Sequence, residues 1–414
     1  MSTIQQPAAH GASAALTGAS PDAGASAEQL LEAARSIGPL LREHAEHGER
    51  ERRLPKAVHA ALAGAGLQRM LTPRALGGLE VDPVTCARAV EEVAGFDSAA
   101  AWALQSGNTG AWWCARLPAE GVAEVFAGGR DLAMAASFHP PHRAVAVPGG
   151  YRFSGRGALA STIHDADWLM MSAFVMDGDQ PRMAEGGPAV IALVLRASDV
   201  EVLDTWHSLG MRGTDSNDVV AHDVFVPASR TFRIAPDFRA APQFGGPLYR
   251  IPAIGSVSVV IAPIALAIAR GAITELRELA LRKTPFGGTR TLRDRGVVQA
   301  ALAEAEGILR SARLLFYDTL EATWRRAQGG EPSTLEQKAD LLLAGAHAAK
   351  SASVVADMMH RLAGTSGVYA RSRLERHFRD AQTVRQHGFV GESRLEAVGQ
   401  VYLGLPSEFG LVAL

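Results

Sequence analysis

One stretch limits what this chain can fold into more than any other: IPAIGSVSVVIAPIALAIA, Ile251 to Ala269, nineteen residues without a charge. Its length approaches that of a bilayer span. The run nevertheless contains two Ser, a Gly and two Pro, is bounded by Arg250 and Arg270, and stands alone in the sequence. It therefore predicts a helix buried at the centre of a helical unit, not a membrane anchor. The rest of the chain can cover it: hydrophobic residues make up 47% of the 414 and charged residues 20%. A chain of that length is expected to divide into about two to three domains or layers.

Helical spacing holds from about Glu28 to Arg130. EQLLEAARSIGPLLREH sets Leu30, Leu31, Ala34, Ile37 and Leu41 on one stripe, LPKAVHAALAGAGLQRML repeats the habit, and DPVTCARAVEEVA opens with Asp82 as N-cap ahead of Pro83. After Asp131 the texture changes. HRAVAVPGGYRFSG reads as two strands about a Gly-Gly turn, and DWLMMSAFVM, PAVIALVLR and NDVVAHDVFVP are β-rich runs bounded by Gly, Pro and Asp. Beyond Pro247 long amphipathic runs return with wide apolar stripes, which predicts a bundle. The expected order is a disordered tail over 1–27, an N-terminal helical domain over 28–130, a middle β domain over 131–235 and a C-terminal helical bundle domain over 236–414. The tail is rich in Ala, Gly and Ser and lacks the basic start and apolar core of a signal peptide.

Charge and cysteine content narrow the functional classes. With 41 basic and 43 acidic residues the net charge is −2, so no overall field draws the chain to nucleic acid or to an acidic membrane. Cys86 and Cys114 are the only cysteines and lack CxxC spacing. Neither a disulfide scaffold nor a zinc knuckle is expected, and a reducing, cytoplasmic location is.

Several motifs compete for a chemical role. GRGALA, Gly155 to Ala160, matches GxGxxA after a strand, with Asp177 about twenty residues on, yet the following residues lead into another strand instead of the helix a dinucleotide turn must open. His44 and His47 stand three apart within REHAEHGERERR, which reads as a solvated charged face. No metal site is expected. His139 and His142 flank two prolines, in a loop that either lines a pocket or is plain connection. TWHSLGMRGTDSND, Thr205 to Asp218, gathers Trp206, Arg212, Thr214, Ser216 and Asn217 ahead of a strand, a set suited to gripping a phosphate or a polar ring as well as to ordinary loop bonding. Arg371, Arg373, Arg376, Arg379 and Arg385 fall within fifteen residues behind Gly364 and Gly367, and fit either an anionic partner or a solvated helix face.

LGGLEVDP, GGYRFSGRGALAS, LGMRGTDSNDVVAHDVFVP, LALRKTPFGGT and LAGTSGVYARSRLERHFRDA, in that order, resemble the acyl-CoA dehydrogenase fold family over nearly the whole chain after the tail. The resemblance implies an α+β flavoprotein with an N-terminal helical domain, a middle β-barrel and a C-terminal four-helix bundle, assembled as a homotetramer with flavin between barrel, bundle and a neighbouring subunit. The dehydrogenases of that family keep a glutamate base nine residues after the Arg of the RDA motif; here that position is Gly388, and no Asp or Glu occurs from Phe238 to Thr274, where the family's other base lies. Glu392 would reach only if its segment shifted by about a helical turn, roughly 5 Å. Abstracting an α-proton needs a base within hydrogen-bond reach, and neither place supplies one.

The residues that are present resemble instead the two-component, group D type flavin-dependent monooxygenase branch of the fold, which includes dibenzothiophene monooxygenase and the p-hydroxyphenylacetate hydroxylase oxygenase component. The resemblance implies that a separate NAD(P)H-dependent reductase supplies reduced FMN, or FAD, and that a C4a-hydroperoxyflavin oxygenates a small, aromatic or heteroatom-containing substrate. It implies catalytic roles for His387, which would bond the peroxide and help protonate it, and for Ser161, which would donate to the flavin N5/O4 edge. Trp206 would pack beside the ring, Arg212 and Ser216 would hold its polar tail with Thr214 also binding the cofactor, Arg282 or Lys283 would bind phosphate across a subunit interface, Gly364 would let backbone approach the cofactor, and Gln386 would lie beside the flavin. Arg379 and Asp380 are expected to form a structural ion pair. Two other readings stay open on the sequence: an acyl-CoA dehydrogenase-like FAD enzyme with a displaced base, and a non-catalytic flavin-binding protein.

Overall fold

A computed structural model describes residues 25–409 apart from 130, 185–186, 236–239 and 242; most of the expected tail lies outside them. Ser26 stands just before the first helix. Its side chain accepts from the Gln29 backbone N–H while the Gln29 side chain returns to Ser26, a capping box that starts the first helix at Ala27, just inside the expected tail. Five helices come first: α1 Ala27–Glu51, α2 Lys56–Gly64, α3 Pro83–Phe96, α4 Ser98–Cys114 and α5 Ala119–Val125. Asp82 caps α3 as expected, its carboxylate accepting from Thr85 N at 2.9 Å.

Ten strands follow. They are β1 Met134–Val147, β2 Gly150–Ala160, β3 Trp168–Asp177, β4 Gln180–Pro181, β5 Met183–Ala184, β6 Gly187–Pro188, β7 Val190–Arg196, β8 Glu201–Leu203, β9 Asn217–Pro227 and β10 Thr231–Ile234. Eight of them form one sheet in the order β10-β7-β3-β1-β2-β9-β8, with β4 added to β3. Every pairing is antiparallel except β1 with β3. The expected barrel takes the form of a sheet folded over its own core of Phe153, Leu169, Met171, Leu193 and Val219, with no pairing between end strands β10 and β8 among the described residues. GRGALA runs within β2 against β9, so it opens no helix and binds no dinucleotide in the manner of a Rossmann turn.

The chain then returns to helix: α6 Ala253–Arg282, α7 Gly296–Gln328, α8 Leu335–Ala363, α9 Arg373–Val384 and α10 Arg394–Tyr402. The charge-free run lies in α6 from Ala253 onward, and its Val260, Ile261, Ile264, Leu266 and Ile268 are buried. Neighbours α3, α4, α7, α8 and α9 all touch it, so its apolar surface is spent on protein. Among the described residues no helix is long and apolar enough to cross a membrane. At Gly271 an added Cβ would meet the His377 ring at 2.5 Å, so this glycine lets α9 lie close on α6. That contact sets the height of α9, and with it the site.

Candidate active site

The end of β2, the loop before β9, α4 and the residues after α9 enclose a cleft of about 200 Å³. Trp102, Leu159, Trp206, Met211 and Val384 give it apolar walls, and Ser161, Thr214, Ser216, Thr383, Gln386 and His387 give it polar edges. Six of the residues expected from sequence to serve one site therefore meet: Ser161, Trp206, Thr214, Ser216, Gln386 and His387.

Strand register explains the central pair. Ala160 at the end of β2 faces Asn217 at the start of β9, so Ser161 and Ser216 stand just beyond the last rung of the ladder. Their hydroxyls lie 2.7 Å apart. The register slips between Gly157 and Ala160, a bulge in which Leu159 takes φ 60°. Thr162 (φ 61°), Met211 (φ 53°) and Asp215 (φ 51°) are also left-handed, so backbone strain collects around this cleft. From Ser216 the polar line continues to Thr214 Oγ1 at 2.7 Å, which donates to Met211 O at 2.9 Å. On its other side Ser161 Oγ accepts from the Trp102 indole N–H at 3.0 Å.

The loop carrying Trp206 is fixed from two directions. Asn217 Oδ1 accepts from the backbone N–H groups of Thr205 and Trp206, both at 2.9 Å, and the Trp206 indole donates to Arg212 O at 3.0 Å. From α9, Asp380 accepts from Met211 N at 2.6 Å and from the Ser98 hydroxyl at 2.6 Å, while Arg379 donates to Leu209 O at 2.9 Å. Gly210 lies so near α9 that a Cβ there would come within 2.4 Å of the Arg379 carbonyl.

Arg379 and Asp380 are not each other's partners, contrary to the sequence expectation. Arg379 pairs with Glu375 at 2.5 Å and Glu49 at 2.6 Å; Asp380 lies 3.6 Å from Arg376, which pairs with Asp97 at 2.6 Å. Burial and the nearby Asp380 hold the Glu49 carboxyl above its ordinary range, against the pull of Arg376 and Arg379. The arginine cluster is thus neither a solvated face nor a waiting anion site at Arg376 and Arg379: it is an ion network joining α1, α3, α4 and α9. Arg373 pairs with Glu275 at 2.9 Å, and Arg371 covers the Tyr369 ring at 4.3 Å.

His387 follows the last turn of α9, its N–H reaching Val384 O at 3.0 Å. Trp102 stands edge-on to its ring at 5.4 Å and Phe389 stacks at 5.8 Å. Burial in these surroundings pushes its pKa down to about 4. Nδ1 accepts from the Phe389 backbone N–H at 3.3 Å, which assigns the single proton of the neutral ring to Nε2. The ring is a hydrogen-bond donor near neutral pH.

Arg212, Arg282, Lys283 and Gly364 do not line the cleft. Arg212 Nε donates to Ser208 O at 3.0 Å, and its other end lies 3.6 Å from Glu49. Lys283 Nζ donates to Ala363 O at 2.5 Å, which ties the end of α6 to Gly364 beyond α8. His142 is buried against Phe153 and is not a lining residue; the side chain of His139 lies outside the described residues. Glu392 pairs with Lys350 at 3.2 Å and with Arg385, and among the described residues no Asp or Glu borders the cleft. Trp102 and Met211 were not anticipated as site residues. Trp102, set among the small residues of SAAAWALQSG at the start of α4, was the available signal for the first.

Comparison with known proteins agrees with this geometry. Residues 26–117 match the model of the acyl-CoA dehydrogenase N-terminal domain, and residues 259–392 match that of the acyl-CoA dehydrogenase C-terminal domain. Indole-3-acetate monooxygenase of Pseudomonas putida is 32% identical over 369 residues, 88% of this chain and 91% of that one. The FADH(2)-dependent resorcinol hydroxylase oxygenase component of Rhizobium sp. is 28% identical over 389 residues, 89% of this chain and 92% of that one. The structure of XiaF from Streptomyces sp. in complex with FADH2 and glycerol superposes with a TM-score of 0.85 at 25% identity, covering 92% of this chain and 96% of its own. With the fold, the carboxylate-free cleft and these relatives in agreement, the chain belongs to the acyl-CoA dehydrogenase-fold proteins, in their branch of flavin-dependent monooxygenase oxygenase components.

Proposed function

We propose that this protein is the oxygenase half of a two-component system: a separate NAD(P)H-dependent reductase supplies reduced FMN or FAD, and one atom of O2 is transferred to a small aromatic or heteroatom-containing substrate. One observation carries the reading. Among the described residues the cleft offers an imidazole, hydroxyls and indoles but no carboxylate, so it can position and hydrogen-bond a polar heteroaromatic ring yet lacks the glutamate base that the dehydrogenases of this fold use on an acyl thioester. The same donor set suits a flavin, with flat indole faces beside hydroxyls at the polar edge. When bound, reduced flavin supplies the electrons that activate oxygen.

The chain's own residues do the rest. Trp102, Trp206 and Val384 keep water from the reacting edge, which suppresses loss of electrons to hydrogen peroxide. His387 holds a proton at Nε2 and donates a hydrogen bond to developing negative charge without giving the proton up. Ser161, Thr214, Ser216 and Gln386 orient the polar edge. Assembly as a homotetramer would cover the exposed Phe286, Val368 and Tyr369, which flank the Lys283–Ala363 junction, and would bring Arg282, Lys283 and Gly364 to a neighbouring copy's cofactor. The test is to mix purified protein anaerobically with reduced FMN or FAD and then admit air beside indole-3-acetate or a phenol. Oxygenated product with little hydrogen peroxide is expected; bleaching of bound FAD by an acyl-CoA, without oxygenation, would instead establish a dehydrogenase.

A further inference from the structure

Helix α1 ends at Glu51, and the two arginines that follow it reach different parts of the cleft's frame. Arg52 takes φ 56°, a left-handed conformation that glycine adopts freely and that a helix end commonly assigns to it. An arginine kept there despite the strain argues that its side chain is needed. Arg52 Nη1 donates to Asp204 Oδ1 at 2.5 Å and to Trp206 O at 3.2 Å, while Nη2 donates to Asp204 Oδ2 at 3.2 Å. Arg53 holds the other side. Its Nε and Nη2 donate to the two Asp165 oxygens at 2.7 and 2.6 Å, and Nη2 donates also to His164 O at 3.0 Å. His59 Nε2 lies 3.5 Å from the same carboxylate. Burial pushes the Asp165 pKa up, but the hydrogen bonds from His59 and Arg53 outweigh it and hold the carboxyl below its ordinary range, so it remains a charged partner. The Arg53 backbone pairs with Thr214, whose carbonyl accepts from Thr162 N at 2.8 Å.

We infer that Arg52 and Arg53 are positioning residues for the cleft: the end of α1 sets the separation between the loop after β2, which carries Ser161, and the loop before β9, which carries Trp206 and Thr214. The inference rests on the flavin reading above. Neither arginine lines the cleft, so each acts through the loop it holds. Ladder pairing of β2 with β9 stops at Ala160 and Asn217, and beyond that rung the spacing depends on isolated bonds. Those from Arg52 and Arg53 come from the N-terminal helical domain, and together they clasp both loops from outside. A displacement of about 1 Å is enough to misplace a bound ring. The clasp therefore links the docking of α1 to the affinity of the cleft for its cofactor.

Arg52→Gly separates positioning from stability. It removes the tether to Asp204 and Trp206 but relieves the left-handed strain, so the helix end keeps its stability. Arg53→Ala releases Asp165 and His164. Arg270→Ala is the control: it removes bonds of 2.6 and 3.0 Å to Glu306 that join α6 to α7, and neither residue lines the cleft. Dissociation constants for reduced FMN and FAD are measured anaerobically by fluorescence titration, beside thermal unfolding midpoints. We expect Arg52→Gly and Arg53→Ala each to weaken the binding of reduced flavin about tenfold, the worth of one well-made hydrogen bond. The midpoint of Arg52→Gly is expected to equal or exceed that of wild type, and the affinity of Arg270→Ala to stay within about twofold of it. Unchanged affinity in Arg52→Gly and Arg53→Ala, or a loss in Arg270→Ala as large as theirs, overturns the clasp while leaving flavin binding intact. Should Arg53→Ala not fold, Arg52→Gly decides alone. Failure of wild type to bind either reduced flavin removes the flavin reading itself and the clasp with it.

Discussion

Asp380 holds the backbone N–H of Met211 at 2.6 Å across a sequence gap of 169 residues, and this bond connects the ion network of α9 to the floor of the cleft. The carboxylate is 1% exposed and also serves Ser98 and Arg376, so it fixes loop and helix with one group. Asp380→Ala leaves a buried arginine short of charge and an amide without its acceptor. It is expected to cost about 3–5 kcal/mol of stability, and Asp380→Asn about 1–3 kcal/mol, both measurable by urea denaturation. Equal stability of Asp380→Ala and wild type would remove the clamp from the account.

Gly210→Ala tests the same junction by crowding. The new Cβ cannot coexist with the Arg379 carbonyl 2.4 Å away, so the loop must retreat from α9 and carry Trp206 and Met211 with it. A loss of about 1–3 kcal/mol is expected, with flavin affinity falling more than in a surface control such as Gly307→Ala, where nothing lies near the added Cβ. Undiminished affinity would mean that Gly210 does not set the loop.

The depressed pKa of His387 makes a signed prediction for acid stability. Its folded pKa is about 4 against an ordinary 6.5, so as pH falls the unfolded chain takes up the proton first. The neutral ring's contribution is complete above about pH 6.5 and is lost progressively toward pH 4. His377, pushed by burial to about 3, behaves in the same sense. His387→Gln should therefore lose less stability than wild type between pH 7 and pH 5, while keeping the remainder due to His377. Identical acid profiles would place the His387 ring in a more polar environment than its neighbours imply.

Much of the fold was legible because its signals are local. The charge-free run announced α6, Asp82-Pro83 announced the start of α3, and alternation with turns announced β1, β2, β3, β7 and β9. Six cleft residues were legible from resemblance, and two of them, Ser161 and Ser216, meet through strand register. The remainder depends on tertiary packing. Trp102 reaches Ser161 only because α4 packs beside the β2–β9 corner, and the surroundings of Arg376 stayed open between an anionic partner and a solvated face because its partner Asp97 lies 279 residues away. The lowered pKa of His387 was not legible for a similar reason: it is set by burial among the Trp102 and Phe389 rings.

Removing the ring donor should separate oxygen transfer from flavin binding. His387→Ala is expected to retain reduced-flavin affinity within about threefold yet divert most electrons to hydrogen peroxide, because negative charge developing at the cleft loses its donor. A peroxide assay coupled to product analysis checks this. Wild-type coupling in His387→Ala would take the imidazole out of the chemistry.

The central claim, that the cleft directs oxygen transfer, is tested most directly by isotope. Wild-type protein charged with reduced flavin is exposed to 18O2 in the presence of an indole or phenol, and the product is analysed by mass spectrometry. The account predicts one 18O atom per product molecule. Product oxygen drawn from water, or oxidation of an acyl-CoA with no 18O incorporated anywhere, would contradict it.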